Sequence, residues 1–408
     1  MTDTRHLGSS KGVGYDPAAD VYRQRIAVPF DYPVHFTHGL FDPSNDLLAS
    51  VLGRLGENRR HRAAVVLDAA LVDAWPGLTG RVGEYFHSYT DRIELAGEPK
   101  VVPGGERVKN GWEPVRDLMW TFGNLHLDRQ SYVIAVGGGA MLDMAGFAAS
   151  LIHRGLRLVR VPTTVLAQND GGVGVKNGMD EHGQKNFVGT FAPPFAVVND
   201  FDFLATLADR DWIGGIAEAF KVALIRDAEF FAWLCAHAAA LRRRDRAAME
   251  QLVRRCAILH LEHIRTSGDP FETGSARPLD FGHWSAHKIE TLSGYEIGHG
   301  QAVALGIAID THYAMQHGLL GEPDVERVLA ALDAAGLPTW DRMLQQRRDD
   351  GELAILDGLV SFREHLGGAL NVTLPDGVGH KVEVHHVDTG GIEAAVRFLR
   401  TRAEAHGR

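Results

Sequence analysis

Residues 132–150, YVIAVGGGAMLDMAGFAAS, combine an apolar run, three consecutive glycines and a segment of small residues. The run YVIAV is typical of a strand that is buried on both faces. A strand that enters a glycine turn and then a helix lets backbone amides approach a pyrophosphate at the helix N-terminus. A tight turn without any ligand explains three glycines equally well. The stretch predicts a strand–turn–helix unit and leaves a dinucleotide site open.

Similar strands flank this unit. Residues 63–67 form an apolar run that ends at Asp68, and residues 156–161 form another that ends before Pro162. Helical segments separate the runs, which indicates an open parallel α/β sheet over roughly the first 200 residues. The proline-containing residues 22–38 are predicted as an edge hairpin. Asp68 is interpreted either as a ribose ligand or as a helix cap.

The second half of the chain has helical periodicity from Thr206 onward. A chain of 408 residues is long enough for two hydrophobic cores. We therefore predict a flexible N-terminal arm at residues 1–20, an α/β domain at residues 21–203 and a mostly helical domain at residues 204–408.

The composition argues against several classes of protein. A net charge of −10 without a dense Lys/Arg run argues against nucleic acid as a partner. Two cysteines, Cys235 and Cys256, cannot build a disulfide framework, which favours the reducing cytoplasm. The N-terminal segment lacks the apolar core of a signal peptide, and no apolar run is long enough to span a bilayer. We expect a cytoplasmic protein without a membrane partner.

Residues 167–191 are predicted to form a long glycine-rich loop. Ordered loops of this length are usually functional. The loop contains Lys176, Lys185 and Asn186, which suggests that it binds an anionic group such as a phosphate. A solvated surface loop is the alternative.

Residues 279–300, LDFGHWSAHKIETLSGYEIGHG, contain three histidines. His283 and His287 are four residues apart, so they share one face if the segment is helical. His299 follows a break at Gly294, where the chain can fold back on that helix. Two imidazoles brought together in this way suggest a divalent metal, provided that a third ligand comes from elsewhere. Hydrogen-bonded or exposed helix histidines are the alternative.

The third ligand is predicted from a helix of small and apolar residues at positions 213–224. Only Glu218 and Lys221 interrupt its apolar character, and a carboxylate in such a helix should be paired or bound to metal. Glu218 is therefore the candidate third ligand, and a surface ion pair with Lys221 is the alternative.

Several motifs, in this order, resemble the sugar phosphate cyclase superfamily, whose best-known member is 3-dehydroquinate synthase. They are GGGAMLDMAGF, VPTTVLAQ, GVKNG with the later KN, IAEAFK, LDFGH and HGQAVALG. The resemblance extends from about Asp68 to Lys381. It implies an NAD-binding α/β domain with a parallel sheet, a mostly α-helical metal-binding domain, an active site between them and a homodimer.

The resemblance also implies roles for individual residues. Glu218, His283 and His299 would bind Zn²⁺ or another divalent metal such as Co²⁺. The residues that would contact NAD are Asp68, Glu106, Lys109, Gly138, Gly139, Asp143, Thr163, Thr164, Lys185, Thr206 and Asp211. Those that would contact the substrate and its phosphate are Asp170, Lys176, Lys185, Asn186, Lys221 and His287, with Arg154 reaching into the neighbouring subunit.

Departures from the dehydroquinate synthase pattern indicate a different substrate. Those enzymes carry Asn at the position of Asp280, Lys at the positions of His260 and His365, and Arg one place before Arg277. Arginine and lysine hold a carboxylate strongly, whereas an acid repels it. The changes favour a hydroxymethyl group in place of the carboxylate, as in sedoheptulose 7-phosphate. All four positions are therefore candidate substrate residues.

The chain retains His287, where 2-epi-5-epi-valiolone synthases usually have proline. In this respect it resembles the 2-epi-valiolone synthase branch of sedoheptulose 7-phosphate cyclases. We predict phosphate elimination with catalytic NAD and a C7 cyclitol as product. A 2-epi-5-epi-valiolone synthase, a 3-dehydroquinate synthase, an NAD-dependent polyol dehydrogenase and an inactive cyclase-like binding protein are the alternatives.

Overall fold

A parallel sheet within residues 34–200 organises the first half of the protein. The computed structural model describes residues 14–182, 184–266, 271, 279–365 and 370–407. Its strands are β1 (Gly14–Asp16), β2 (Val21–Arg23), β3 (Val34–Thr37), β4 (His61–Asp68), β5 (Ile93–Leu95), β6 (Lys100–Val102), β7 (Tyr132–Gly137), β8 (Arg157–Pro162), β9 (Lys176–Glu181), β10 (Gln184–Phe191), β11 (Ala196–Asp200), β12 (Val372–Pro375) and β13 (Lys381–Val384).

The α-helices are short in the first half and longer in the second. They are α1 (Leu47–Leu52), α2 (Ala69–Ala74), α3 (Leu78–Ser88), α4 (Glu113–Asn124), α5 (Gly139–Leu151), α6 (Val165–Asn169), α7 (Asp209–Gly214), α8 (Ile216–Arg226), α9 (Ala228–Arg242), α10 (Arg246–Thr266), α11 (His283–Leu292), α12 (His299–Gln316), α13 (Glu322–Ala335), α14 (Asp357–His365) and α15 (Thr389–Ala405). None of the helices in the described ranges is long and apolar enough to cross a membrane.

The sheet has the order β3-β11-β8-β7-β4-β5, with β6 also paired to β4, and all of these pairs are parallel. Alternate residues of β4 and β7 pack in two different cores. Val65 and Ile134 belong to the core that also contains residues of α1 and α3, whereas Val66 and Val133 pack with residues of α4 and α5. Cover on both faces explains why these strands are continuously apolar.

The parallel register brings three functional segments to one edge of the sheet. Gly137 at the end of β7 pairs with Pro162 at the end of β8, and Leu67 of β4 pairs with Val136. Asp68, the glycine turn and Thr163 therefore follow neighbouring strands at their carboxyl ends, where open α/β sheets bind ligands.

The helical half surrounds α8, whose residues from Ile216 to Ile225 are all buried. Helices α11 and α12 approach closely at Gly282 and Gly306. A Cβ on Gly306 would collide with the carbonyl oxygen of Gly282 and lie 2.9 Å from Ser285 Oγ. This close approach positions the first turn of α11, which contains His283.

The predicted fold class, an α/β half with a parallel sheet and a mostly helical half, is confirmed. The hairpin predicted at residues 22–38 is wrong, since β2 pairs with β1 and β3 is an edge strand parallel to β11. The loop predicted at residues 167–191 is also wrong: β9 and β10 form an antiparallel hairpin there. Its strands contain too few apolar residues for the pattern to be recognised.

The predicted domain boundaries at residues 20 and 203 stay predictions. The described part of residues 1–32 is a separate unit that contains β1 and β2, and the described residues from Pro33 onward form the other unit.

We expect Gly306→Ala to lower the free energy of unfolding by about 2 kcal/mol or more, because the methyl group overpacks the crossing of α11 and α12. Gly83→Ala is the matched control. Gly83 lies within α3 with no atom near the added methyl group, so this change should stabilise by about 0.5–1 kcal/mol. Urea unfolding of both variants tests the close approach, and an equally stable Gly306→Ala protein would contradict it.

Candidate active site

Glu218 lies in the centre of the helical half. Its side chain is fully buried, and among the described residues neither carboxylate oxygen has a hydrogen-bond partner of good geometry. The Lys221 ammonium, one turn along α8, forms a close ion pair with Oε2. A buried carboxylate whose oxygens lack hydrogen bonds is a group that a metal ion would satisfy.

His283 and His299 bring two imidazoles to this carboxylate. The Nε2 atoms of His283 and His299 lie 3.5 and 3.4 Å from Glu218 Oε1. Nδ1 of His283 faces the Phe281 carbonyl oxygen at 3.1 Å, and Nδ1 of His299 faces Glu290 Oε2 at 3.0 Å. These contacts leave both Nε2 atoms directed toward Glu218, in the arrangement usual for histidines that bind metal.

The three residues fit a divalent cation. One ligand atom from each lies within 4.8 Å of the others, and two nitrogens with one carboxylate oxygen form a known catalytic zinc set. Burial lowers the pKa of His299, but the carboxylates of Glu290 and Glu218 raise it to about 10. The site thus attracts positive charge, and a metal ion would replace the proton on that imidazole.

His287 lies beside the same cluster. Its ring centroid is 5.4 Å from that of His283 and 5.9 Å from that of His299. Burial and the neighbouring His283 hold the pKa of His287 well below its usual range. His287 is therefore a neutral imidazole next to the candidate metal ligands.

A second group of charges surrounds Lys221. Its Nζ lies 3.7 Å from Asp170 Oδ2, and His260 Nδ1 lies 2.5 Å from Asp170 Oδ1. Burial lowers the pKa of Lys221, but Asp170, Glu218 and Asp280 raise it above its ordinary value. The predicted substrate residues Asp170, Lys221, His260 and Asp280 thus occupy one region next to Glu218.

The β9–β10 hairpin contributes Lys185 and Asn186. Lys185 Nζ donates to Glu290 Oε1 at 2.8 Å and lies 2.9 Å from Glu106 Oε1. Asn186 has a left-handed backbone, and its side-chain oxygen accepts a short hydrogen bond from Lys109. Lys109 is buried, and its Nζ also pairs with Asp143 Oδ2 at 3.0 Å. Glu106, Lys109, Asp143, Lys185 and Asn186 therefore form one connected group.

The edge of the sheet forms the candidate dinucleotide site. Asp68 caps α2 by accepting from the Ala70 amide at 2.9 Å, as one of the two interpretations predicted. Two glycines pack closely against Asp68. A Cβ on Gly104 would collide with the Asp68 carboxylate, and a Cβ on Gly137 would lie 2.9 Å from Asp68 Cβ.

The glycine turn leaves the start of α5 open. Gly138 caps α5 without a side chain, so the first amides of the helix are available to an anion. Thr163 donates its amide to the Gly137 carbonyl at 3.0 Å, and a Cβ on Gly138 would lie 3.4 Å from Thr164 Cγ2. The two threonines and the predicted cofactor residues Gly138 and Gly139 therefore adjoin one another.

Four of the predicted cofactor and substrate residues lie outside the groups of contacting side chains described above. The Thr206 hydroxyl donates to the Phe203 carbonyl, and Asp211 is exposed in the first turn of α7. Lys176 and Arg154 are exposed, and Arg154 has a left-handed backbone with φ of 66°. Arg277 and the side chain of His365 lie outside what the structure describes.

Sequence reasoning missed Glu290, Asp310 and Arg160. Glu290 lies seven residues after His283 and three after His287, on the same helix face, which was a usable signal. Asp310 is a buried acid whose carboxylate accepts from the Trp284 indole at 2.8 Å and the Gly282 amide at 3.1 Å. It therefore fixes the start of α11.

Arg160 is a fully buried cation in β8. Its guanidinium donates to the Gly174 carbonyl at 2.9 Å, to the Lys176 carbonyl at 2.6 Å and to Asn177 Oδ1 at 2.7 Å. It thereby fixes the segment that joins Asp170 to the hairpin. A charged residue in an apolar strand was the signal for this role.

The fold and the site together define a dehydroquinate synthase-like protein, and comparison with known proteins agrees. The family model for the 3-dehydroquinate synthase N-terminal region matches residues 100–214, and that for the C-terminal region matches residues 215–350. A 2-epi-5-epi-valiolone synthase from an Actinoplanes species is 35% identical over 96% of both chains. The 3-dehydroquinate synthase of Azotobacter vinelandii is 35% identical over 86% of this chain and 89% of its own.

Solved structures show the same relationship. The 2-epi-5-epi-valiolone synthase of Streptomyces hygroscopicus subsp. jinggangensis, with NAD⁺ and Zn²⁺ bound, has a TM-score of 0.83 and 30% identity, over 93% of this chain and 100% of its own. A 2-deoxy-scyllo-inosose synthase complexed with carbaglucose-6-phosphate, NAD⁺ and Co²⁺ has the same fold, with a TM-score of 0.72 and 22% identity over 90% and 96% of the chains. The chain belongs to the 3-dehydroquinate synthase family of sugar phosphate cyclases.

Glu218→Gln should weaken Zn²⁺ or Co²⁺ binding by more than the 10–100-fold typical of residues that only support a ligand. The change removes the one anionic ligand and keeps its shape. Calorimetric titration of the metal-free protein measures the effect. Glu393→Gln, which changes a glutamate on α15 paired with Arg347, is the control and should bind metal like the unmodified protein. Unchanged affinity in Glu218→Gln would contradict the assignment.

Asp310 should make stability depend on pH. Burial raises its pKa from 3.8 to about 7, although the Trp284 indole and the Gly282 amide oppose this. A carboxyl whose pKa is raised on folding stabilises fully below its unfolded pKa and loses that contribution as pH rises through the folded value. From pH 5 to pH 8, Asp310→Asn should gain about 2–3 kcal/mol relative to the unmodified protein. Urea unfolding at both pH values, with a chelator present, measures this. A pH-independent difference would refute the raised pKa.

Proposed function

We propose that the protein is a sugar phosphate cyclase that converts sedoheptulose 7-phosphate to 2-epi-valiolone with release of phosphate, using catalytic NAD and a divalent metal, preferably Zn²⁺. The observation that carries the choice of substrate is Asp280, a carboxylate in the segment before His283 whose charge raises the pKa of Lys221. Dehydroquinate synthases, which the chain resembles elsewhere, have a neutral asparagine at that position.

The charges around Lys221 support this choice. Three carboxylates, those of Asp170, Glu218 and Asp280, act on one ammonium. With a divalent metal on Glu218 these groups would sum to about zero charge, whereas an asparagine at position 280 would leave a net positive charge that attracts a substrate carboxylate. A hydroxymethyl group carries no charge and can donate a hydrogen bond to a carboxylate.

His260 supports the same conclusion. In dehydroquinate synthases a lysine at this position has a permanent charge that can hold a carboxylate. Here the His260 ring contacts Asp170 at 2.5 Å, so the imidazole is engaged by an acid of the protein. His260 would then orient Asp170, and Asp170 would hold Lys221 in place.

The cofactors are supported by the residues and by the relatives. NAD would lie along the glycine turn and the start of α5, near Asp68 and the Lys109–Asp143 pair. Glu218, His283 and His299 would hold the metal. When bound, the metal supplies Lewis acidity and NAD supplies reversible hydride acceptance. His287 is neutral beside this cluster and can accept a proton there.

The phosphate would be held by Lys176, Lys185 and Asn186, together with Arg154 of a second copy. Arg154 is exposed at a turn in which His153 also has a left-handed backbone. Two successive residues in this conformation are strained and cluster at functional sites. We propose a homodimer in which this turn completes the neighbouring site.

A 2-epi-5-epi-valiolone synthase is the second candidate, favoured by the names of two relatives that are similar over nearly the whole chain. The retained His287 favours 2-epi-valiolone. Product NMR after incubation with sedoheptulose 7-phosphate distinguishes the two epimers.

The purified protein should release phosphate from sedoheptulose 7-phosphate and not from the carboxylated precursor of dehydroquinate. Release from the carboxylated sugar alone would refute the substrate assignment. Net reduction of NAD⁺ by a polyol would instead favour a dehydrogenase.

Asp280→Asn should lower kcat/KM for sedoheptulose 7-phosphate about 10-fold or more, the effect of ~1.4 kcal/mol. It should also reduce discrimination against the carboxylated sugar, because one repelling charge is lost. Glu404→Gln, at an exposed ion pair on α15, is the control with unchanged kinetics. Equal discrimination in Asp280→Asn and the unmodified protein would overturn the role of this charge.

A further inference from the structure

Glu290 joins two parts of the active site that come from different halves of the chain. It lies on α11, and its side chain is only 4% exposed. Oε2 lies 3.0 Å from His299 Nδ1, and Oε1 accepts from Lys185 Nζ at 2.8 Å. Each carboxylate oxygen therefore has its own charged or polar partner.

The contact with His299 determines which ring nitrogen is available. A carboxylate accepts a hydrogen bond, so it favours the tautomer with the proton on Nδ1. The lone pair is then on Nε2, which lies 3.4 Å from Glu218 Oε1. A carboxylate at Nδ1 also makes an imidazole a better metal ligand.

The contact with Lys185 extends this path into the first half of the chain. Lys185 belongs to β10, which pairs with β9, and α5 packs against this hairpin. Its Nζ also lies 2.9 Å from Glu106, in the short 3-10 helix that follows β6. Glu106, Lys185, Glu290 and His299 thus form an unbroken series of ionic contacts.

The inner members of this series are largely shielded from solvent. Lys185 is 13% exposed and Glu290 is 4% exposed, so solvent screens their interaction only weakly. Removal of Lys185 would leave Oε1 of the buried Glu290 carboxylate without its ammonium partner. The orientation of Glu290 toward His299 should therefore depend on Lys185.

We infer that Glu290 is a positioning residue that orients His299 for metal binding and couples this ligand to Lys185 of the hairpin. The inference rests on the proposed function, since it requires that His299 binds a metal ion. It goes beyond that function by making metal affinity depend on Lys185, whose ammonium contacts Glu290 and not the proposed ligands Glu218, His283 and His299. If this ion pair had only a structural role, its disruption would lower stability and leave metal affinity unchanged.

Titration of the metal-free full-length protein with Co²⁺, followed by visible absorption and calorimetry, tests the coupling. Glu290→Gln should weaken Co²⁺ binding about 10–100-fold and change the absorption spectrum of the bound ion. Lys185→Met should weaken binding about threefold or more, within the range for contacting residues. The double variant should lose less affinity than the product of the two single losses, because both changes disrupt one series of contacts.

Asp333→Asn is the matched control. Asp333 forms a buried ion pair with Arg402 at 2.7 Å, distant in sequence from the metal ligands, and both side chains are 10% exposed. Urea unfolding should show lower stability in this variant, and its Co²⁺ affinity should equal that of the unmodified protein. An equal loss of affinity in Asp333→Asn would assign the effect to general destabilisation and overturn the inference.

The remaining outcomes separate the inference from the proposed function. An unmodified protein that binds no Co²⁺ would overturn both. If the unmodified protein binds Co²⁺ and either Glu290→Gln or Lys185→Met binds it equally well, only the coupling fails. Losses that multiply in the double variant would likewise overturn the coupling and leave the metal site intact.

Discussion

The carboxylate of Glu218 in the core of the helical half is the constraint on which the rest of the site depends. Burial of a charge is costly unless partners compensate for it. Lys221, His283 and His299 meet this carboxylate, and they hold its pKa well below its usual range despite full burial. The helices that supply them must therefore approach one another closely, which the small residues at the crossing of α11 and α12 permit.

The two halves of residues 33–408 contribute to the site in different ways. The parallel sheet supplies backbone amides and a capping carboxylate at the ends of its strands, whereas the helices supply side chains that carry charge. Lys185 connects the two, since it projects from the hairpin to Glu290 beside a candidate metal ligand. An anionic substrate that reaches Lys185 must compete with Glu106 and Glu290 for its ammonium. This competition favours strongly charged groups such as phosphate.

Local patterns predicted the parts of the molecule that depend on local physics. The apolar runs of β4, β7 and β8 predict buried strands because both faces of the sheet are covered. The apolar character of α8 makes Glu218 a candidate metal ligand, because an acid is rare in such a helix. The β9–β10 hairpin was missed because Arg160 and α5 stabilise it from outside. Asp310 depends on contacts with residues distant in sequence, which spacing along the chain does not reveal. The spacing of Glu290 places it on the helix face of His283 and His287, but its contact with His299 comes from another helix.

The negative charges of Asp280 and Glu218 have different consequences for binding, although both act on Lys221. A metal ion would offset the charge of Glu218, because the two histidines bring none in their neutral form. Asp280 is not among the candidate metal ligands, and its charge reduces the positive charge that Lys221 and a divalent metal would otherwise leave there. Its negative charge would therefore oppose a carboxylate in the proposed substrate region. A substrate without a carboxylate avoids that repulsion, so a single acidic residue can separate two substrates that share the same phosphate and cofactor chemistry.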